Sequence, residues 1–336
     1  VSHTWGAPTA GDHRRDRVAA PTSVEAIPHL RELARGEPIP RESRPQPADV
    51  ATAWGRKPQK PLRILVLFAG SGESTSALHH LLRKAGHHVV AIDTKLGGNS
   101  HDVLRDGLSE RILARVMAAE FDSVFVATPC SSYSVRHRPK LRTCTEPYGV
   151  KPIPHEWQAY LHKHNALATF TSRVIEAAHA TATPLAMENP AARSDPDSPA
   201  WWEEYHDHGS IWHMPCIATA LGEAHAKFYT FSQCMLGGKA QKWTTIAATG
   251  ELRRLLAALG SPRYSCNHGM ARHEEVLTGR DHLGRSRTAE AAAYPPGLDH
   301  MLAEALVTAG THVQRARGGN HRALTTPTRA REGRGG

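Results

Sequence analysis

Cysteine is scarce in this sequence. Cys130, Cys144, Cys216, Cys234 and Cys266 are five in 336 residues, odd in number and widely spaced. With no Cys-x-x-Cys pair, a disulfide framework is disfavoured, and reduced thiols in a nuclear or cytoplasmic compartment are expected. No apolar run approaches the length of a membrane span and no secretory signal opens the chain, so an intracellular, non-secreted protein without a membrane partner is expected. The glycine-rich stretches hold neither GxGxxG nor a Walker lysine, which sets aside a standard dinucleotide or phosphate loop. An internal repeat and an obligate protein partner are equally without a sequence signal. The first residue is Val1 and not methionine, which points to a fragment or a domain cut from a longer polypeptide.

What is present in excess is positive charge. A formal net charge of +9 and a pI near 9.5 suit a polyanionic partner. Forty per cent of the residues are hydrophobic, enough for one large core. The 23 histidines are scattered without ligand spacing and read as surface composition. Cys266-Asn-His268, with His273 nearby, has the look of half a metal site, but two further ligands at suitable spacing are not evident. The segment therefore reads as a loop with incidental residues, and no metal is expected.

Residues 1–60 are rich in Pro, Arg and polar residues and read as a flexible segment with one short helix, capped near Thr22 and ended by Gly36. From Leu62 the pattern alternates. Strands are predicted at Leu62–Phe68, Val89–Asp93, Ser123–Ala127 and Pro184–Met187, and helices at Ser74–Ala85, Ser109–Ala119 and His162–Ala180. Such alternation implies an α/β fold with a doubly wound, mostly parallel sheet. Phe228–Cys234 and Trp243–Ala248 read as an antiparallel pair. Helices follow near Glu251–Leu259 and Leu298–Ala309, and the chain from about Arg315, within residues 311–336, reads as a disordered basic tail.

Three segments carry candidate chemistry. Phe68-Ala-Gly70-Ser-Gly72 follows a strand and opens a helix, where glycines let the backbone turn and approach a ligand. Asp93 ends the next strand, as a ribose-binding carboxylate does or as a helix cap does, and Asp102 follows in a loop. Pro129-Cys130 lies just past a buried strand, where open sheets place their chemistry, and a thiolate there is a strong nucleophile. Glu188, in Met187-Glu188-Asn189-Pro190, also sits at a strand end, and a buried carboxyl with a raised pKa can carry a proton to a ring nitrogen.

FAGSG, the acid at Asp93, TPCSS and MENP occur in the order seen in DNA cytosine-5 methyltransferases, and the chain resembles a divergent, virus- or transposon-like branch of that family. The resemblance covers about residues 61–190 well and 228–309 loosely. It implies a Rossmann-like S-adenosylmethionine-dependent methyltransferase domain over 61–310 with a small irregular target-recognition insertion at 252–287. It implies Cys130 as the nucleophile toward C6 of a flipped-out cytosine and Glu188 as the acid at N3. S-adenosylmethionine would rest on Phe68, Gly70, Gly72, Asp93, Asp102 and Pro129. The family's Gln-x-Arg-x-Arg strand is replaced here by Gln241-Lys-Trp-Thr-Thr245, so Lys242, or Arg136 and Arg138, would steady the nucleic acid. The family's late Gly-Asn-Ser-Val segment is replaced by Ala293-Tyr-Pro-Pro-Gly297. The implied partner is DNA ahead of RNA. The same chemistry on RNA, or a catalytically inactive nucleic-acid-binding module, are the alternatives. Trp201, Trp202 and Trp212 are read as packing a lid or a second cluster in preference to stacking bases.

Overall fold

The computed structural model describes residues 60–71, 77–135, 137–268, 273–275, 277 and 293–323. The N-terminal segment and its short helix, Gly72, Arg136, residues 278–292 and residues 324–336 lie outside the described residues.

Six strands form one mixed sheet, mostly parallel, in an α/β arrangement. They are β1 (Arg63–Leu67), β2 (His88–Ile92), β3 (Ser123–Val126), β4 (Leu185–Pro190), β5 (Lys227–Ser232) and β6 (Trp243–Ala248), in the order β2-β1-β3-β4-β6-β5. The first four run parallel; β6 is antiparallel to both β4 and β5. The helices are α1 (Leu78–Lys84), α2 (Leu108–Met117), α3 (His155–Ala180), α4 (Pro215–Glu223) and α5 (Pro296–Ala323), with several single turns between them.

Strand alternation divides the core into two layers. Leu65, Leu67, Val124, Val126, Leu185 and Met187 point to one face and pack with Ile112 and Val116 of α2, Val174 and Ala178 of α3, and Ile217 and Leu221 of α4. Ile64, Val66, Phe125, Ala186, Ile246 and Ala248 point to the other, against Leu78 and Leu82 of α1 and Leu298, Leu302 and Leu306 of α5. β1, β3 and β4 are covered on both faces, which is why they read as unbroken apolar runs.

Four expectations change. The last helix does not end near Ala309 but continues to Ala323. Arg317, read as part of a disordered tail, donates from Nη1 to the carbonyls of Ala119 (3.0 Å) and Phe121 (3.1 Å) and from Nη2 to Thr183 Oγ1 (3.2 Å). The proposed recognition region is not free from its start: Leu252, Leu256 and Leu259 are fully buried in the second layer. The histidines are not only surface composition. His79, His164 and His208 are buried and His213 is partly buried, and burial lowers each pKa to about 4. They are neutral structural groups: His208 donates from Nε2 to the Tyr133 carbonyl (2.7 Å) and accepts at Nδ1 from the Arg193 N–H (3.1 Å). Among the described residues no helix is long and apolar enough to cross a membrane.

Candidate active site

The strand order reverses direction at β1. The chain leaves β1 for β2 on one side and later returns as β3 on the other. The crevice beyond the carboxyl ends of β1 and β3 is therefore the topological switch point, where open α/β sheets bind ligands. The Phe68–Gly70 turn follows β1 and Cys130 follows β3, so these two candidates are brought to neighbouring strand ends.

The turn after β1 is sewn to the end of β2. The N–H groups of Phe68 and Ala69 both donate to the Ile92 carbonyl (2.7 and 3.2 Å), and that of Gly70 donates to Asp93 Oδ2 (2.9 Å). Phe68 takes a φ of +60°, unusual for a bulky residue. Such backbone costs roughly 1–3 kcal/mol and persists where neighbours hold it, commonly at ligand sites. Gly70 has φ +77°, and a Cβ there would meet nothing within 4 Å among the described residues. Asp93 serves the turn and also caps the helical turn Thr94–Gly97, accepting from the Lys95 N–H at 2.8 Å. Both readings of this carboxylate thus coexist: each oxygen has one backbone donor and keeps a lone pair. Asp102 is engaged locally, with the Leu104 N–H (3.1 Å) and Arg105 (3.4 Å).

Beyond β3 the Cys130 loop is pinned from several sides. Thr128 Oγ1 lies 2.8 Å from Thr171 Oγ1 on α3, and its carbonyl accepts from Asn189 Nδ2 at 2.7 Å. Half-buried Cys130 precedes the single 3-10 turn Ser131–Tyr133. Ser131 Oγ accepts from the Tyr160 hydroxyl (2.7 Å), and the Tyr133 hydroxyl donates to the His164 carbonyl (3.2 Å). Buried Arg142 stacks on the Tyr133 ring, 4.2 Å from its centroid, and donates to Ser132 and Asn165. A positioned thiol on a braced loop is the result.

Glu188 is buried in β4, opposite Ile246 of β6. Its Oε2 accepts from the Tyr294 hydroxyl at 2.6 Å, while Oε1 is buried without a hydrogen-bond partner among the described residues. Burial raises its pKa, opposed by the Lys242 ammonium and by the Tyr294 hydroxyl. Burial also raises the Cys130 pKa; Lys242 opposes this and the Glu188 charge adds to it. Cys130, Glu188, Lys242 and Tyr294 thus sense one another's charge, and the Lys242 ammonium lies 5.7 Å from the centre of the Tyr294 ring.

Of the two described cations suggested for nucleic acid, Lys242 joins this cluster. Arg138 is exposed and donates to the carbonyls of its own loop at Val135 and His137. Trp212 is core, donating from Nε1 to the Pro190 carbonyl (2.9 Å), whereas Trp201 and Trp202 are each 41% exposed. Sequence reasoning missed Tyr294 as a partner of Glu188 because 106 residues separate them. It missed Arg142 because nothing local marks an arginine for burial. The arrangement offers a soft nucleophile, a buried carboxyl whose pKa is raised, and a cation whose charge acts on both. Such a set can add to an electron-poor ring while protonating its nitrogen. No protein-family model matches the chain, and no curated protein matches it.

Proposed function

We propose that this chain transfers a methyl group to C5 of cytosine in DNA, on a Rossmann-like methyltransferase fold with S-adenosylmethionine as donor. The observation that carries the reading is Glu188: a buried carboxyl whose pKa burial raises, with Oε1 unpartnered among the described residues, in the same charge cluster as Cys130. The space at Gly70 that no described residue fills, the held φ of Phe68 and the remaining lone pairs of Asp93 fit the cofactor. Phe68, Gly70 and Asp93 would hold it, with Pro129 at the neighbouring strand end. S-adenosylmethionine, when bound, supplies the methyl group as an electrophile.

The protein's part follows from its side chains. A cytosine stacked in a duplex is out of reach of a side-chain thiol, so the base must first be extruded into the crevice. Lys242 draws Cys130 toward the thiolate against burial. The sulfur forms a bond to C6, the ring electrons shift, and the proton on Glu188 Oε1 passes to N3. C5 then carries the nucleophilic electron pair. After C5 has received its substituent and lost its proton to a base, the S–C6 bond breaks and N3 returns its proton to Glu188. The net positive charge supplies the sequence-independent grip on phosphates.

Incubation with S-adenosylmethionine and DNA or RNA containing 5-fluorocytosine tests this, because fluorine at C5 blocks release. A denaturation-resistant adduct on DNA, lost in Cys130→Ser, is expected. An adduct on RNA alone would reassign the substrate, and no adduct on either would overturn methyl transfer.

A further inference from the structure

The incidental loop at Cys266 is not alone. The turn that leaves β5 brings Cys234 to it, across 32 positions of sequence. The ligand atoms of Cys234, Cys266, His268 and His273 all lie within 4.8 Å of one another. Cys266 Sγ is 3.4 Å from His273 Nε2 and 3.7 Å from His268 Nδ1. Tetrahedral zinc, with Zn–S about 2.3 Å and Zn–N about 2.0–2.1 Å, sets neighbouring donors about 3.3–3.8 Å apart. Two donor pairs therefore already stand at tetrahedral-edge distances. The sequence reading sought all the ligands within one stretch and so did not include Cys234, which comes from a strand turn.

From this geometry we infer a structural zinc site with Cys234, Cys266, His268 and His273 as its four ligands. Two thiolates and two imidazoles select zinc over the hard cations, and four protein ligands close the shell, which marks a structural and not a catalytic role. Ser232 Oγ, 3.1 Å from Cys234 Sγ, supplies the outer hydrogen bond that steadies a ligating thiolate. The Cys234 turn is tight: Gly237 lies at φ +91°, and a Cβ at Gly238 would stand 2.9 Å from the Gln233 carbonyl oxygen. Cys266 packs against the cluster of Ala191, Ala200 and Trp243, next to Lys242. The same segment then joins the β5–β6 connection, where the Glu275 N–H donates to the Lys239 carbonyl (3.2 Å). The ion thus staples the segment after the short Pro262–Tyr264 turn to the sheet, at the flank of the candidate active site.

The test uses the full chain, without a histidine tag, expressed with zinc in the medium. Elemental analysis should find one zinc per chain, and Cys234→Ser with Cys266→Ser should remove it. After chelation, cobalt(II) alone should give thiolate charge-transfer absorption and intense tetrahedral bands, both reversed by zinc. His268→Ala replaces the most exposed ligand and tests the site without disturbing the packing; its zinc should exchange at least tenfold faster. A metal-free wild-type chain that takes up neither ion, a Cys234–Cys266 disulfide in the reduced-purified protein, or zinc retained by the double-serine variant would each overturn the assignment.

Discussion

Tyr294→Phe isolates one hydroxyl. The ring, edge-on to Phe125 at 6.1 Å, stays, and only the 2.6 Å bond to Glu188 is lost. A hydrogen bond to an ionised group is worth about 1.5–3 kcal/mol and one to a neutral group about 0.5–1.5 kcal/mol, so the hydroxyl favours the carboxylate by about 1–1.5 kcal/mol. That corresponds to about one pKa unit. Burial already holds the Glu188 pKa above its ordinary value, with the hydroxyl opposing; removing the hydroxyl raises it further. The sign for stability follows. Above the unfolded pKa the folded state keeps a proton that the unfolded state has lost, so stability falls as pH rises through the interval up to the folded pKa. In the variant that interval reaches about one unit higher. The trapping reaction needs the proton on Glu188, so its rate should fall as pH rises through the same pKa. The assay is the rate of adduct formation on 5-fluorocytosine DNA across a pH series, for wild type, Tyr294→Phe and Glu188→Gln. The falling limb should move up by about one unit in the phenylalanine variant and be absent in the glutamine variant. An unmoved limb, a shift to lower pH, or a limb that persists without the Glu188 carboxyl would refute the coupling.

Asp93→Asn should keep the cap on the Thr94–Gly97 turn but lose one backbone acceptor and the charge. Calorimetry should show S-adenosylmethionine affinity about 10- to 150-fold weaker, the equivalent of about 1.5–3 kcal/mol, and unchanged affinity would remove Asp93 from the cofactor site. Arg317→Ala should lower stability in urea by about 2 kcal/mol, since three acceptors lose their donor. An unmoved midpoint would mean that the end of α5 does not hold the sheet.

The elements that sequence revealed best are those whose environment is uniform along the chain. β1 and β3 are buried on both faces and announce themselves as apolar runs. β6 was legible to the residue, because Lys242 and Thr249 bound an apolar and threonine-rich stretch. The first two turns of α3 were not legible: of residues 155–161 only Leu161 is buried, so no periodic stripe exists there. α4 was missed for the opposite reason, since Pro215-Cys-Ile-Ala-Thr-Ala-Leu is small and apolar nearly all round. In the site, Cys130 and the Gly70 turn were legible because each follows a strand, a local property, whereas Glu188, expected at a strand end, lies inside β4, which runs on to Pro190. Tyr294 and Cys234 act through pairing across the fold, and no spacing rule reaches a partner that topology alone brings near.

The α1–α5 pairing sets a timetable for synthesis. Leu78 at the start of α1 is bonded to Asp299 of α5, 221 residues later, and α5 covers the sheet face that begins with Ile64 and Val66. At ribosomal rates of about 5–20 residues per second, roughly 10–45 s separate the emergence of that face from the arrival of its cover. During that interval the nascent chain presents an apolar sheet surface that the short helix α1 covers only in part. Release of chains cut short before α5 would leave that surface open to aggregation, even though every strand had been made.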